Sequence, residues 1–155
     1  MRSTFFKSQA GQTIIEVLLA TVVVAAVLVA ITYGMTNSTK NADQNKQRAT
    51  ANLYAQEVIE VFRRERDNLG WNSFQAELTD NGIYCLNNLP DDTQDFANLN
   101  TGSCASSSFI SGTKFQRELL VDKSTNEVIL DVSVTWQDGT REQEVELRQA
   151  LKKID

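Results

Sequence analysis

Between Ile14 and Met35 the chain carries an almost unbroken apolar run, and this restricts its fold more than anything else in the sequence. About 20 apolar residues match the hydrocarbon thickness of a bilayer, and there only a helix or a closed barrel satisfies the backbone. A helix of this composition has no polar face to turn towards water. The run opens with Gly11-Gln12-Thr13-Ile14-Ile15-Glu16, and Glu16 is the one formal charge between Gln12 and Lys40. An acidic residue at the centre of a membrane helix costs roughly 2.5 to 3.5 kcal/mol. Such a residue points to a function and needs a named partner.

Four readings of the run compete. A buried helix of a water-soluble domain would be shorter and amphipathic. A secretory signal peptide has a basic start like Arg2 and Lys7, but its apolar core is usually about 7 to 15 residues. For a cut after Ala30, Leu28 is also the third residue back, where a cleavage site wants a small residue. A plain single-pass anchor has the right length but gives Glu16 no purpose. The fourth reading uses every residue. The segment Gly11-Gln12-Thr13-Ile14-Ile15-Glu16-Val17-Leu18-Leu19-Ala20, behind a basic leader without acids, resembles the amino-terminal motif of type IV prepilins and pseudopilins.

That resemblance implies cleavage between Gly11 and Gln12 by a prepilin peptidase, with N-methylation of the new terminus at Gln12. Glu16 then becomes the fifth mature residue and pairs with the Gln12 amine during assembly. It also implies a long amino-terminal helix, half membrane-embedded and half packed on a small sheet. Two departures stand out. The family most often has Phe where this chain has Gln12, which leaves methylation open. Many pilins carry a Pro about 22 residues into the mature chain, whereas the only Pro here is Pro90 and Gly34 lies near that place.

Composition narrows the rest. The 155 residues leave room for one modest domain after the membrane segment. The formal net charge is −5, and loss of Arg2 and Lys7 with the leader makes the mature chain two units more negative. An acidic surface makes nucleic acid an unlikely ligand, because phosphate binding needs clustered cations. The cluster Arg63-Arg64-Glu65-Arg66 contains its own acid and reads as a solvated helix face. With no histidine and two cysteines, neither the commonest general base nor a four-thiolate metal site is present in the sequence. No catalytic residues, cofactor or metal are expected, and the chain does not read as an enzyme.

Four segments follow: a leader over 1–11, a membrane or filament-core helix over 12–35, its amphipathic continuation over 36–69, and an exported domain over 70–155. In the third, Ala51, Ala55, Val58, Ile59 and Phe62 fall at helical spacing and form one stripe. Gln56, Glu57, Glu60, Arg63, Arg64 and Asp67 occupy the other face, with Glu60 and Arg64 in favourable i to i+4 order. Gly70 supplies a stop. One helix of about 55 residues, roughly 80 Å long, is expected.

From Trp71 to Gly112 the sequence reads as loop, with apolar islands at Ile83-Tyr84 and Phe109-Ile110. It holds Cys85 and Cys104. A basic amino terminus kept in the cytosol places the remainder outside, where disulfides persist. A Cys85–Cys104 bridge is expected there, closing about 20 residues for roughly 3 kcal/mol; two separate buried thiols are the alternative. The last forty residues alternate with period two and read as a three-stranded antiparallel meander. With Asp138-Gly139 as the hairpin loop, Val132 faces Val145, Leu130 faces Leu147, and Trp136 faces Arg141 for a cation–π contact. A turn near Ser124-Thr125 sets Leu119 against Leu130 and Val121 against Val128. The fold class is therefore α+β, one long helix packed on a small antiparallel sheet.

The sequence thus reads as a structural subunit, a pilin or minor pilin, of a type IV pilus or of a secretion or competence pseudopilus. Its implied partners are other pilin subunits, the prepilin peptidase, the assembly platform and, before assembly, the cytoplasmic membrane. The precursor would span that membrane once with its domain outside, and the mature form would stand in a surface pilus or periplasmic pseudopilus. The competing reading is a membrane-anchored binding or adhesin domain that never polymerises.

Overall fold

The computed structural model describes residues 10–91 and 96–153, with side chains from Ile14 onward. The element order is α1 (Ala10–Leu69), α2 (Trp71–Glu77), β1 (Gly82–Cys85), β2 (Phe115–Lys123), β3 (Glu127–Asp138) and β4 (Arg141–Lys152). The four strands form one antiparallel sheet in the order β1-β2-β3-β4. The protein is thus α+β, one long helix packed on a sheet of four strands where the sequence suggested three. The chain divides into two units, Met1–Asn45 and Lys46–Asp155.

Helix α1 is continuous over 60 residues, and Gly34 does not interrupt it. It stops where expected: Gly70 has φ 74°, a conformation that costs L side chains strain, and its N–H still donates to the Arg66 carbonyl. The stripe predicted from spacing is the helix's contribution to the core. Ala51, Ala55, Val58, Ile59 and Phe62 are all buried. Against them lie Leu119 and Val121 of β2 and Val128, Leu130, Val132 and Val134 of β3. Phe62 packs edge-on to Phe74 of α2 and to Phe96, with ring centroids 6.4 and 5.0 Å away.

The segment read as loop contains two further elements. Trp71–Glu77 forms α2, fixed to the β2–β3 turn by Trp71 Nε1 donating to the Thr125 carbonyl at 3.1 Å and Gln75 Nε2 to that of Ser124 at 2.6 Å. Gly82–Cys85 joins the sheet beside β2, with Tyr84 buried opposite Leu119. Seven and four residues are too short for periodicity to reveal. Gly82 is required where it stands, since a Cβ there would lie 2.8 Å from the Thr79 carbonyl oxygen.

The meander has the expected faces but a register shifted by two residues. Val132 pairs with Leu147 and Val134 with Val145; Leu119 pairs with Val132 and Val121 with Leu130. The β3–β4 loop is Gly139-Thr140, closed by Asp138 and Arg141, because the positive φ of 64° at Gly139 suits the first central position of a hairpin turn. At the other end the Ser124 N–H donates to the Glu127 carbonyl and leaves Thr125-Asn126 as the loop. A shift of two keeps every side chain on its face, whereas a shift of one would turn the core outward. Trp136 consequently lies opposite Gln143, not Arg141, and its Nε1 donates to Gln47 Oε1 at 2.7 Å.

Two ionic expectations on α1 also change. Glu60 pairs with Arg63 at 2.6 Å, while Arg64 turns to Glu65 at 3.0 Å and to the Pro90 carbonyl. Glu65 is only 1 % exposed, so the arginine cluster is not simply a solvated face. Phe62→Ala should lose about 3 to 5 kcal/mol of stability, because three rings meet at that side chain. Thermal melting of the detergent-purified chain measures this, and a loss below 1 kcal/mol would contradict the packing.

Candidate functional site

Two regions bear on function, and each stands in its own unit. In the first, the helix is uncovered on all sides. Leu18, Leu19 and Val24 point in three directions around its axis and are 60, 62 and 57 % exposed. The segment is long and apolar enough to cross a membrane, a test that signal sequences also meet. Its described threonine hydroxyls are already satisfied. Thr21, Thr32, Thr36 and Thr39 donate to the carbonyls of Leu18, Leu28, Thr32 and Met35 at 2.8 to 3.0 Å. A threonine bonded back to its own helix brings no unpaired donor into an apolar medium.

No such local solution for Glu16 is found among the described residues. It shares one apolar helix face with Ile15, Leu19, Ala20, Val23 and Val24. No ion pair reaches it among the described residues. Backbone helicity extends through Gly11 and Gln12, but the side chains of 10–13 and everything before Ala10 lie outside the described residues. The bond expected to be cut, between Gly11 and Gln12, thus lies on described helical backbone, while the Gln12 side of the expected Gln12–Glu16 pair lies outside the described side chains.

In the second unit the expected bridge is formed: Cys85 at the end of β1 is joined to Cys104, with Cα atoms 4.8 Å apart. Its surroundings were not foreseen. Asn87 Nδ2 lies 3.4 Å from Cys104 Sγ and donates to the Ser108 carbonyl and hydroxyl, while Asn87 Oδ1 accepts the Arg117 N–H at 2.8 Å. The Cys104 N–H donates to Glu118 Oε1 at 2.6 Å. The bridge is thereby tied to β2 on both sides.

Arg117 is the centre of this arrangement. It occupies a core-facing place in β2, between Phe115 and Leu119, and is buried. Its Nε donates to the Leu86 carbonyl at 2.8 Å, and one terminal nitrogen donates to the Tyr54 carbonyl at 2.9 Å and Glu57 Oε2 at 3.0 Å. The guanidinium also lies over the Tyr54 ring, 5.9 Å from its centroid. Burial pulls the Arg117 pKa below its ordinary value, and the hydrogen bond and charge of Glu57 oppose that shift. One side chain thus holds α1, β2 and the start of the disulfide loop together. The signal was visible in the alternation Phe115, Arg117, Leu119, Val121, where a cation stands in the apolar phase.

Glu65 is the second buried charge. Its Oε1 accepts from Arg64 Nε, and its Oε2 has no hydrogen-bond partner among the described residues. No group of three or more potential metal ligands occurs among them either. Comparison with protein-family models, with curated proteins and with solved structures finds no match.

Arg117→Met should destabilise the chain by about 2 to 4 kcal/mol, since the Leu86 carbonyl loses its side-chain donor and the link from β2 to Tyr54 and Glu57 of α1 is lost. Glu57→Gln should cost about 1 kcal/mol or less, because Glu57 is half exposed and keeps water as a partner. Equal losses for the two variants, read by melting, would remove Arg117 from its central place. Cys85→Ser should lower stability by about 3 kcal/mol, and peptide mapping of the parent without reductant should recover Cys85 and Cys104 linked.

Proposed function

We propose that this chain is a subunit of a pilin-like filament, anchored by its first helix before assembly and held by that helix afterwards. The observation that carries the reading is Glu16, one carboxylate in an uncovered apolar helix whose described threonines are locally bonded. A buried, unpaired carboxylate costs several kcal/mol. Cleavage after Gly11 would create a cationic amine at Gln12, four residues before Glu16, and a neighbouring subunit shifted along the axis can offer that amine to it. The basic leader and its terminal Gly11 support the reading from the sequence side. So does the fold, in which the same helix continues beyond Asn45 as the support of a small sheet. The head domain then serves as the part of the subunit that faces outward.

The partners follow: other subunits of the filament, the peptidase that cuts at Gly11, the assembly platform, and the cytoplasmic membrane before assembly. Glu16→Gln keeps the side chain's shape and removes its charge. Membrane insertion and cleavage should survive, because a neutral side chain enters a bilayer more readily. Entry into sheared filaments should fall at least about tenfold, the equivalent of 1.4 kcal/mol. Immunoblots of filament and membrane fractions measure this beside amino-terminal sequencing, which should begin at Gln12. Wild-type incorporation of the mutant, or a mature chain that keeps Met1, would point to an anchored domain that does not polymerise.

A further inference from the structure

Strand β1 is covered along its outer edge. The Cys85 N–H donates to the Asn100 carbonyl, the Gly102 N–H donates to the Ile83 carbonyl, and Tyr84 bridges to Thr101. Among the described residues strand β4 has no such cover. It ends the sheet over 12 residues and, among those residues, pairs with β3 alone. In a two-residue hairpin the closing pair, here Asp138 and Arg141, is hydrogen-bonded. The odd-numbered residues of β4 therefore bond to β3, as does Lys153, whose N–H donates to the Asn126 carbonyl. The even-numbered residues, Glu142, Glu144, Glu146, Arg148, Ala150 and Lys152, present their N–H and C=O groups outward.

We infer that two copies of this chain join antiparallel through their β4 edges, with Leu147 of one opposite Leu147 of the other. A second copy fits because the strand is complementary to itself. Outward groups must meet outward groups, so only registers that oppose even residues to even residues are allowed. With Leu147 on the twofold axis, Glu146 faces Arg148 and Glu142 faces Lys152, each twice by symmetry, and Glu144 faces Ala150. Moving one copy by two residues either way sets Glu146 against Glu146 or Arg148 against Arg148, and leaves two opposite-charge pairs, Glu144 with Arg148 or Glu144 with Lys152, in place of four. Opposite charges directly across a strand pair stabilise it, and like charges destabilise it. In-register parallel pairing would oppose every charge to itself. Charges on an edge strand ordinarily keep other chains away; here their order favours the register with Leu147 on the axis, which has more directly opposed opposite-charge pairs than its neighbours. Arg141 opposite Lys153 is the one unfavourable pair, at the outer end of each strand.

The helix-facing side of β4 leaves room for the partner. Gln143, Val145, Leu147 and Gln149 are only half-buried, and the helix contacts fall on β2 and β3. The twofold axis is normal to the sheet and reverses α1 between Lys46 and Leu69. The pairing therefore joins copies facing each other from opposite sides, not neighbours standing side by side. It does not rest on the filament reading.

The test uses the full chain purified in detergent. Leu147→Cys sits opposite itself at a non-hydrogen-bonded position, with Cβ atoms about 5 Å apart. Mild oxidation should give a dimer on a non-reducing gel, with Cys85–Cys104 intact by peptide mapping. Independently of that variant, sedimentation velocity of the parent should show a dimer. Arg148→Glu should weaken it about tenfold by turning two attractive pairs into repulsive ones. Glu146→Arg combined with Arg148→Glu should restore it. A monomeric parent, or a dimer unchanged in Arg148→Glu, overturns the pairing.

Discussion

The inner face of the sheet stays dry only because one helical stripe lies on it, and the sizes of the side chains along that stripe match what they meet. Ala51 and Ala55 are buried in the turns of α1 where Gln47 meets Trp136 and Tyr54 meets Phe115 and the Arg117 guanidinium. Small residues let the helix backbone approach these large groups. Phe62 stands further along, where the sheet gives way to α2 and Phe96 and there is more space to fill. A helix with large residues at both ends would be lifted off the sheet at one of them. The same helix carries its hydrogen bonds internally, so its earlier half can remain apolar on every side without leaving backbone groups unpaired.

Arg117 resolves a conflict that packing alone would leave. The chain turns out of β1 at Leu86 and brings that residue's carbonyl to the edge of the core. A buried cation with several donors in one plane satisfies it and also reaches the Tyr54 carbonyl of α1, with Glu57 supplying charge from the half-exposed face of that helix. An apolar side chain would fill the volume but leave the Leu86 carbonyl without this donor. Burial makes the guanidinium costly to hold, and its hydrogen bonds to two backbone carbonyls and a carboxylate offset that cost. Asn87 does the corresponding work for the disulfide, where its amide connects Cys104, Ser108 and β2.

The legible parts of the fold were those repeated over many residues. Period two over β3 and β4 set which side chains face inward, and helical spacing from Ala51 to Phe62 set the cover. Hairpin registers missed by two, because the position of a loop depends on which residue takes the positive φ, and Gly139 takes it one place later than the Asp138-Gly139 reading assumed. Elements of four and seven residues left no periodic trace, so β1 and α2 were hidden in a polar stretch. Buried charge was hidden differently. Arg117 and Glu65 look like surface residues by type, and only Arg117 betrays itself by its phase in the strand. At the amino-terminal end the reverse holds: Glu16 was conspicuous in the sequence because it is the one charge between Gln12 and Lys40.

The disulfide has a consequence in time. The β2–β3 and β3–β4 hairpins close through two-residue loops, and such local contacts form quickly. Strand β1 must instead find β2 across some thirty residues of irregular chain, and Cys85 and Cys104 lie on that stretch. Oxidation shortens the search by pinning the stretch back on itself. The meander can thus exist before any oxidant is met, while the β1 edge, the Asn87 contacts and the seat of Arg117 are completed after it. A chain held in a reducing compartment would carry a finished hairpin pair beside an unfinished rim. Exposure to an oxidant then acts as the step that commits the domain to its final surface.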